Sequence, residues 1–375
     1  MSLIALVGLV TVGLVTGSGT VAGASASSTI YDSTLSPLPG NQASQCFECA
    51  QATQIGGQVA FSTGSPRLLD DVVVTLSSWH CQSGADATCV TTPGATFPTP
   101  LTLNVYKVGA GNTVGALIKS VTQTFNIADR PTSVPSPATV CGGDDTAWYD
   151  AADGSCNHGI ATNVTFNFGH SVLPNQVIYG LELRTSDYGD PALGGPLGTA
   201  TACHSTTEGC GYDSLNVALS SEPPSPSVGS DPVTNSIYWN TGTASNYCDG
   251  GTGGSGTFRL DQGCWGVNPP YTSAPYYVPA VRFDAVASLA PWITSAATAT
   301  ATVHAAFRFT VATTGFPIPV LSEFGTMPKG LTFHNNGDGT ATISGHAATV
   351  RTYHLQLKAT NSAGKATQNF TLVVH

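Results

Sequence analysis

Apolar and polar residues alternate with a period of two, in short runs, along most of this chain. Leu101, Leu103 and Val105 alternate with Thr102, Asn104 and Tyr106; Tyr353, Leu355, Leu357 and Ala359 alternate with His354, Gln356 and Lys358. Such alternation places one set of side chains on each face of a strand and predicts half-buried β-structure. No segment sustains a 3.6-residue period. Between residues 30 and 286 the pattern predicts strands at 58–62, 71–79, 101–108, 117–127, 163–168, 176–184, 214–220, 236–240, 257–260 and 279–286. About ten strands over this length fit a large antiparallel β-sandwich, jelly-roll-like, with long decorated loops.

The last 85 or so residues carry a denser signal. Asn336-Gly337-Asp338-Gly339 separates Leu331-Thr332-Phe333 from the run Thr340 to Ser344. Asn-Gly and Asp-Gly supply the positive φ angles of a tight hairpin. Pro317, Pro319 and Pro328 confine any strand near them to an edge or a short piece, because proline cannot donate to a ladder. Phe307, Phe309 and Val311, and then Phe370, Leu372 and Val374, add further strands. Six or seven short strands with turn signals between them read as an immunoglobulin-like sandwich.

Pro291-Trp292-Ile293-Thr294-Ser295, Phe307 to Val311, Gly315-Phe316-Pro317, Met327-Pro328-Lys329-Gly330-Leu331, Asp338-Gly339-Thr340-Ala341 to Ser344-Gly345, and Lys358-Ala359-Thr360-Asn361 come in that order. Together they resemble the bacterial putative-immunoglobulin repeat family, one of the cadherin-like sandwiches. His346-Ala347 stands where that family usually has Thr-Pro. The resemblance implies an extracellular spacer or adhesion module over 291–375. The stretch from Ser236 through Cys248 to Leu260 resembles secreted bacterial proteins without a known activity, and so implies none.

The N-terminus changes the picture from fold to location. Leu3 to Val15 is almost wholly apolar and Ala22-Gly23-Ala24-Ser25-Ala26 offers small-residue cleavage sites, so 1–26 reads as a secretory signal peptide. No basic residue precedes Arg67, so the usual basic leader is missing and the natural start is expected further upstream. The apolar run is shorter than the ~20 residues a membrane span needs. Ten cysteines group by proximity as Cys46 and Cys49, Cys81 and Cys89, Cys141 and Cys156, Cys203 and Cys210, Cys248 and Cys264. In an exported chain an even count implies disulfides, and local pairing is expected. A zinc site would need a second Cys-x-x-Cys to complement Cys46-x-x-Cys49, and there is none.

The expected organisation is therefore a disulfide-rich sandwich at 27–286, a linker at 287–290 and the immunoglobulin-like module at 291–375. Charged residues are only 9% of the chain, against ~25% in ordinary domains, which leaves the surface to Ser, Thr, Asn, Gln and Gly. Residues 27–290 hold 20 acids and 7 bases, whereas 291–375 hold 2 and 5. Neither balance offers the basic footprint that nucleic acid or an anionic membrane requires.

Asp144, Asp145, Asp150 and Asp153 lie in one cysteine-bounded loop and are the candidate calcium ligands, since calcium takes 6 to 8 oxygens. A solvated acidic loop is the plainer reading. Trp148, Trp239, Trp265, Tyr276 and Tyr277, with Trp79 and Tyr271, lie in or beside loops where flat rings could stack on sugars; rings of this kind also serve as core. Neither Gly-x-Ser-x-Gly nor His-Glu-x-x-His nor a phosphate-binding loop occurs, and no catalytic residue is assigned. The expected function is a secreted or cell-surface binding or adhesion protein. Its partner is an extracellular polysaccharide or a cell-surface protein. The alternatives are a calcium-binding adhesion protein without a sugar site, and a hydrolase whose site is not legible.

Overall fold

The computed structural model describes residues 26–47, 50–84, 86–135, 139–183, 215–222, 225–263 and 276–375. These fall into two compact units, 26–287 and 288–375. The signal-like segment, apart from Ala26, lies outside the described residues, as do Cys49, Cys203, Cys210, Cys264, Trp265 and Tyr271.

The larger unit contains β1 (Ser28–Asp32), β2 (Ser44–Cys46), β3 (Ala52–Ala60), β4 (Leu68–Ser78), β5 (Thr96–Val108), β6 (Val114–Ala128), β7 (Trp148–Asp150), β8 (Ser155–Asn157), β9 (Ile160–Val172), β10 (Gln176–Glu182), β11 (Leu215–Glu222), β12 (Ser236–Thr241), β13 (Arg259–Gln262), β14 (Tyr276–Pro279) and β15 (Val281–Val286). Among the described residues the only helical pieces are three-residue 3-10 turns. One sheet runs β1-β15-β4-β11-β14, with β9 also on β4 and β2 also on β11. The second runs β13-β12-β3-β10-β5-β6. Every pairing in both is antiparallel.

The alternation seen in the sequence is what joins the two sheets. Val72, Val74 and Leu76 of β4 and Phe283 of β15 share one buried cluster with Ile55 and Val59 of β3, Leu101, Leu103 and Val105 of β5, and Val177 and Leu181 of β10. Phe283 is fully buried at the centre, with ring centroids of Tyr31, Phe61 and Tyr179 at 6.3, 5.5 and 5.6 Å. Offset and edge-on ring contacts of this kind add to the area they bury. Pro98 and Pro100 are tolerated inside β5 because β10 pairs only with Thr102 to Lys107, so the prolines lie where that neighbour does not reach.

Local stapling holds for two of the expected pairs: Cys81 bonds Cys89 and Cys141 bonds Cys156. Cys46 and Cys248 are also disulfide-bonded. A small hairpin, β7 on β8, pairs Trp148 with Asn157, Tyr149 with Cys156 and Asp150 with Ser155. Alternation did not reveal this arm, because three-residue strands are too short to show a period.

The smaller unit has two four-stranded sheets. They are built from β16 (Leu289–Ile293), β17 (Thr298–Ala301), β18 (Ala306–Phe316), β19 (Val320–Gly325), β20 (Leu331–Asn335), β21 (Thr340–His346), β22 (Arg351–Asn361) and β23 (Gly364–Val374). Their orders are β16-β18-β21-β20 and β17-β23-β22-β19. Leu355, Leu357, Ala359, Phe370, Leu372 and Val374 are all buried in its core. The hairpin between β20 and β21 forms at the expected place, with Gly337 and Gly339 at φ of 81° and 86°. There Asp338 accepts from both the backbone N–H and the hydroxyl of Thr340, the hydroxyl foremost, which holds its carboxyl below the usual range. β19, next to Pro317 and Pro319, is an edge strand paired only with β22. β17 pairs β23 in parallel, the one parallel ladder among the described strands.

Candidate functional site

β4 ends at Ser78, and the next residue, Trp79, leaves the ladder with its ring 37% exposed. Burial does not explain that position; local hydrogen bonding does. The indole N–H donates to Ser77 Oγ at 3.0 Å, and Ser77 Oγ donates to Asn41 Oδ1 at 2.7 Å. Gly159, just before β9, keeps the ring in place by lacking a side chain. A Cβ there would lie 2.6 Å from Trp79 Nε1 and 2.7 Å from Ser77 Oγ.

His158 lies nearly parallel to Trp79, with 11° between the planes and 5.6 Å between centroids. Its Nε2 is 2.9 Å from Asp144 Oδ2, and both side chains are partly exposed. Asp144 also accepts the Thr146 hydroxyl and backbone N–H through Oδ1, and these contacts first, then His158, hold its carboxyl below the usual range. Behind the loop, Arg130 is fully buried and donates to Ser133 Oγ at 2.7 Å and to the Thr146 carbonyl at 2.5 Å. Burial lowers its pKa, and Asp86 and Asp144 pull the other way. A buried guanidinium needs such partners. Beside it, buried His80 is bonded through Nδ1 to Asp129 and packs on Phe97.

These elements border an open cleft of about 390 Å³ lined by Asn41, Gln42, Ala43, Ser44, Trp79, Cys156, Asn157 and His158. Among the described residues its wall offers one indole ring, one imidazole, three carboxamides and a hydroxyl, and no lysine or arginine. Chemically the cleft can present a flat apolar surface beside neutral donors and acceptors. Among the described residues that line it, none pairs a nucleophile with an aligned base. Sequence reading named Trp79 among the loop aromatics, but it missed Asn41, Gln42, Asn157 and His158. Isolated amides carry no motif, and only the proximity of Asn157 and His158 to Cys156 hinted at them.

Two of the expected aromatic platforms need correcting. Trp148 is 6% exposed and donates its indole N–H to the Gly159 carbonyl at 2.8 Å, so it supports the cleft from beneath. Trp239 is 3% exposed, donates to Asp261 Oδ2 at 3.1 Å, and meets Tyr247 edge-on. Neither offers a free face for stacking, since both rings are packed and their polar atoms are satisfied internally. Tyr276 opens β14, and Tyr277, half-buried on the same strand, is not among the residues that line the cleft.

The candidate calcium ligands are not gathered into one group. Asp144, Asp150 and Asp153 each turn an oxygen onto a backbone N–H two residues on, from Thr146, Ala152 and Ser155. These carboxylates are committed to local turns. Among the described residues no three His, Cys, Asp or Glu side chains come together as a metal site, and Asp145 joins no such group. No described helix is long and apolar enough to cross a membrane.

Comparison with known proteins bears on the smaller unit. Residues 290–375 match the profile of the "Putative Ig domain" family. No curated protein matches the chain. Among solved structures, a "putative alpha-galactosidase/melibiase" of Bacteroides fragilis is 26% identical over 23% of this chain and 17% of its own, with a TM-score of 0.21. A chimeric titin Z1Z2 is 27% identical over 24% of this chain and 96% of its own, and titin domain M7 is 19% identical over 24% and 96%; both have a TM-score of 0.21. This chain thus spans about a sixth of the galactosidase. With its paired four-stranded sheets and its family match, the segment 290–375 is an immunoglobulin-like domain.

Proposed function

We propose that the larger unit binds an extracellular carbohydrate in the Trp79 cleft and that the immunoglobulin-like domain serves as its spacer. The observation that carries this reading is the exposed Trp79 ring held over a charge-poor, amide-lined cleft. Sugars present C–H faces that stack on indole and hydroxyls that pair with carboxamides, so one aromatic plate with several neutral polar groups suits them. The role is binding rather than catalysis, and it is performed outside the cytoplasm. Disulfides at Cys81–Cys89 and Cys141–Cys156 persist in oxidising surroundings.

The test is a glycan array and a cell-wall pull-down with the full chain and with Trp79→Ala. Retention of the wild type and loss of retention by the variant, at unchanged melting temperature, support the reading. Equal binding by both, or no binding by the wild type, refutes it.

A further inference from the structure

The second sheet of the larger unit turns Ile55, Leu103, Leu181 and Ile237 into the buried cluster, so the residues between them lie on its outer face. Paired residues of neighbouring strands share a face. One outer row therefore runs Leu260, Tyr238, Gly56, Gly180, Asn104 and Ser120 across all six strands. The flanking rows carry Gln54, Glu182 and Thr102 on one side and Gln58, Ile178 and Tyr106 on the other. Two adjacent glycines thus leave a trough between largely polar walls, closed by Tyr238 at one end and Asn104 at the other. Phe258, just before β13, fills it. Its ring centroid is 5.8 Å from that of Tyr106 and 6.1 Å from that of Tyr238, and a Cβ on Gly180 would lie 2.6 Å from Phe258 Cζ. This half-buried ring is no part of the cluster between the sheets.

We infer that this trough is a second carbohydrate site, separate from the Trp79 cleft, and that Phe258 is its built-in stopper, competing with a neutral sugar ring for the floor at Gly180. None of the trough's residues lines the Trp79 cleft. The walls are more polar than a phenyl ring can use. Gln54, Gln58 and Asn104 are buried although they stand on an outer face. Each is held in a set orientation: Gln54 Nε2 donates to Tyr106 Oη at 3.1 Å, Tyr238 Oη to Gln58 Oε1 at 2.7 Å, and Asn104 Nδ2 to Glu182 Oε2 at 3.3 Å. Phe258 has no hydrogen bond to give such groups, whereas a pyranose brings an apolar C–H face to Tyr106 and hydroxyls to the amides and to Glu182. The three rows hold one carboxylate and no lysine or arginine, so nothing in them balances the charge of an acidic sugar. The stopper can leave without unfolding the sheet. The chain before it is tied through backbone atoms, Gly256 N–H to the Thr241 carbonyl at 2.8 Å and Tyr247 Oη to the Thr257 carbonyl at 3.2 Å, and rotation of the Phe258 side chain breaks neither.

The experiment titrates the full chain calorimetrically with neutral gluco-, manno-, galacto- and N-acetylgluco-oligosaccharides. The proteins are the wild type, Trp79→Ala, Trp79→Ala/Phe258→Ala, and that double variant with Tyr106→Ala added. Trp79→Ala silences the cleft, so a gain on removing Phe258 reports the trough. Expected is binding about tenfold tighter after Phe258→Ala, as for a site open ~10% of the time, and loss of that gain with Tyr106→Ala. A second measurement leaves the packing intact: fluorine NMR of the wild-type sequence carrying 4-fluorophenylalanine, in which the Phe258 resonance should move as sugar saturates the chain. If the Phe258 variants fail to fold, the resonance alone decides. No gain on removing Phe258, with an unmoved resonance, overturns the proposal, and leaves the Trp79 cleft standing if Trp79→Ala alone abolishes binding. A gain that survives Tyr106→Ala puts the sugar elsewhere and overturns it too. Normal binding by Trp79→Ala together with the full gain refutes the cleft and supports the trough.

Discussion

Removing the two local disulfides separately should show that the shorter loop is the costlier one to lose. In the chain-entropy account, a bridge closing a loop of about 15 residues contributes ~3 kcal/mol and one closing about 8 contributes ~2.5 kcal/mol. Loop length alone therefore ranks Cys141–Cys156, with a sequence separation of 15, above Cys81–Cys89, with 8. Burial reverses the order. Cys141 is half-buried and Cys156 exposed, so serine in their place can stay hydrated, whereas Cys81 and Cys89 are 4% and 1% exposed. The nearest carbonyls, Trp79 O and Pro131 O, are 3.9 and 3.8 Å from the two sulfurs, too far for a hydroxyl hydrogen bond without a shift. Each buried hydroxyl left without a partner costs a further ~1–3 kcal/mol.

The Cys81→Ser/Cys89→Ser protein should thus lose ~4 kcal/mol or more, against ~3 kcal/mol or less for Cys141→Ser/Cys156→Ser. Urea titration followed by far-ultraviolet circular dichroism measures both. The Cys141–Cys156 pair should have a second signature. It ties β8 to the loop bearing Asp144, so freeing it should change the tryptophan emission where His158 lies over Trp79. An equal or greater loss for that pair, or an unchanged emission spectrum, would refute the reasoning.

Two other outcomes follow from particular residues. Asp71 stands directly opposite Asp284 in the β4–β15 ladder, and burial first, then the charges of Asp284 and Asp70, push its carboxyl up to about 6. Folded protein then holds a proton that the unfolded chain releases near 4, so this group's contribution to stability is greatest below pH 4 and is lost as pH rises through 6. The gap is worth ~3 kcal/mol for a shielded group, and solvent access to Asp71 cuts it to ~1 kcal/mol. Asp71→Asn should remove the decline, so the wild-type-minus-variant stability difference, measured from pH 4 to 8, should fall with pH; a flat difference would count against the carboxyl pair. Gly159→Ala should push Trp79 and Ser77 aside, with a loss of ~1–3 kcal/mol in stability and weakened sugar retention on the array; a variant with native stability and binding would show that the contact is slack.

Most of the frame was readable because it depends on period and turn chemistry. The runs around Leu103, Leu357 and Leu372 became core strands, and Asn336 to Gly339 became the hairpin. The site was legible only in fragments. Tryptophan is both a good stacking surface and a good core filler, so Trp148 and Trp239 looked like Trp79 until burial separated them. The acidic loop looked like a cation site because sequence counts carboxylates but does not show that Asp144, Asp150 and Asp153 are each turned back on their own backbone. The lining amides come from segments more than a hundred residues apart, Asn41 and Gln42 against Asn157, and no local pattern links them.

The ladder between β17 and β23 has a mechanical meaning. β17 lies near the beginning of the immunoglobulin-like domain and β23 at its end, and they run in the same direction through Thr298↔Thr371 to Ala301↔Val374. Tension applied at the two ends of that domain drags these strands past one another, so the rungs share the load instead of parting in sequence. An antiparallel pair at the same place would peel open like a zip. A domain pulled at both ends holds better in the first way, and the short parallel seam between β17 and β23 supplies that geometry.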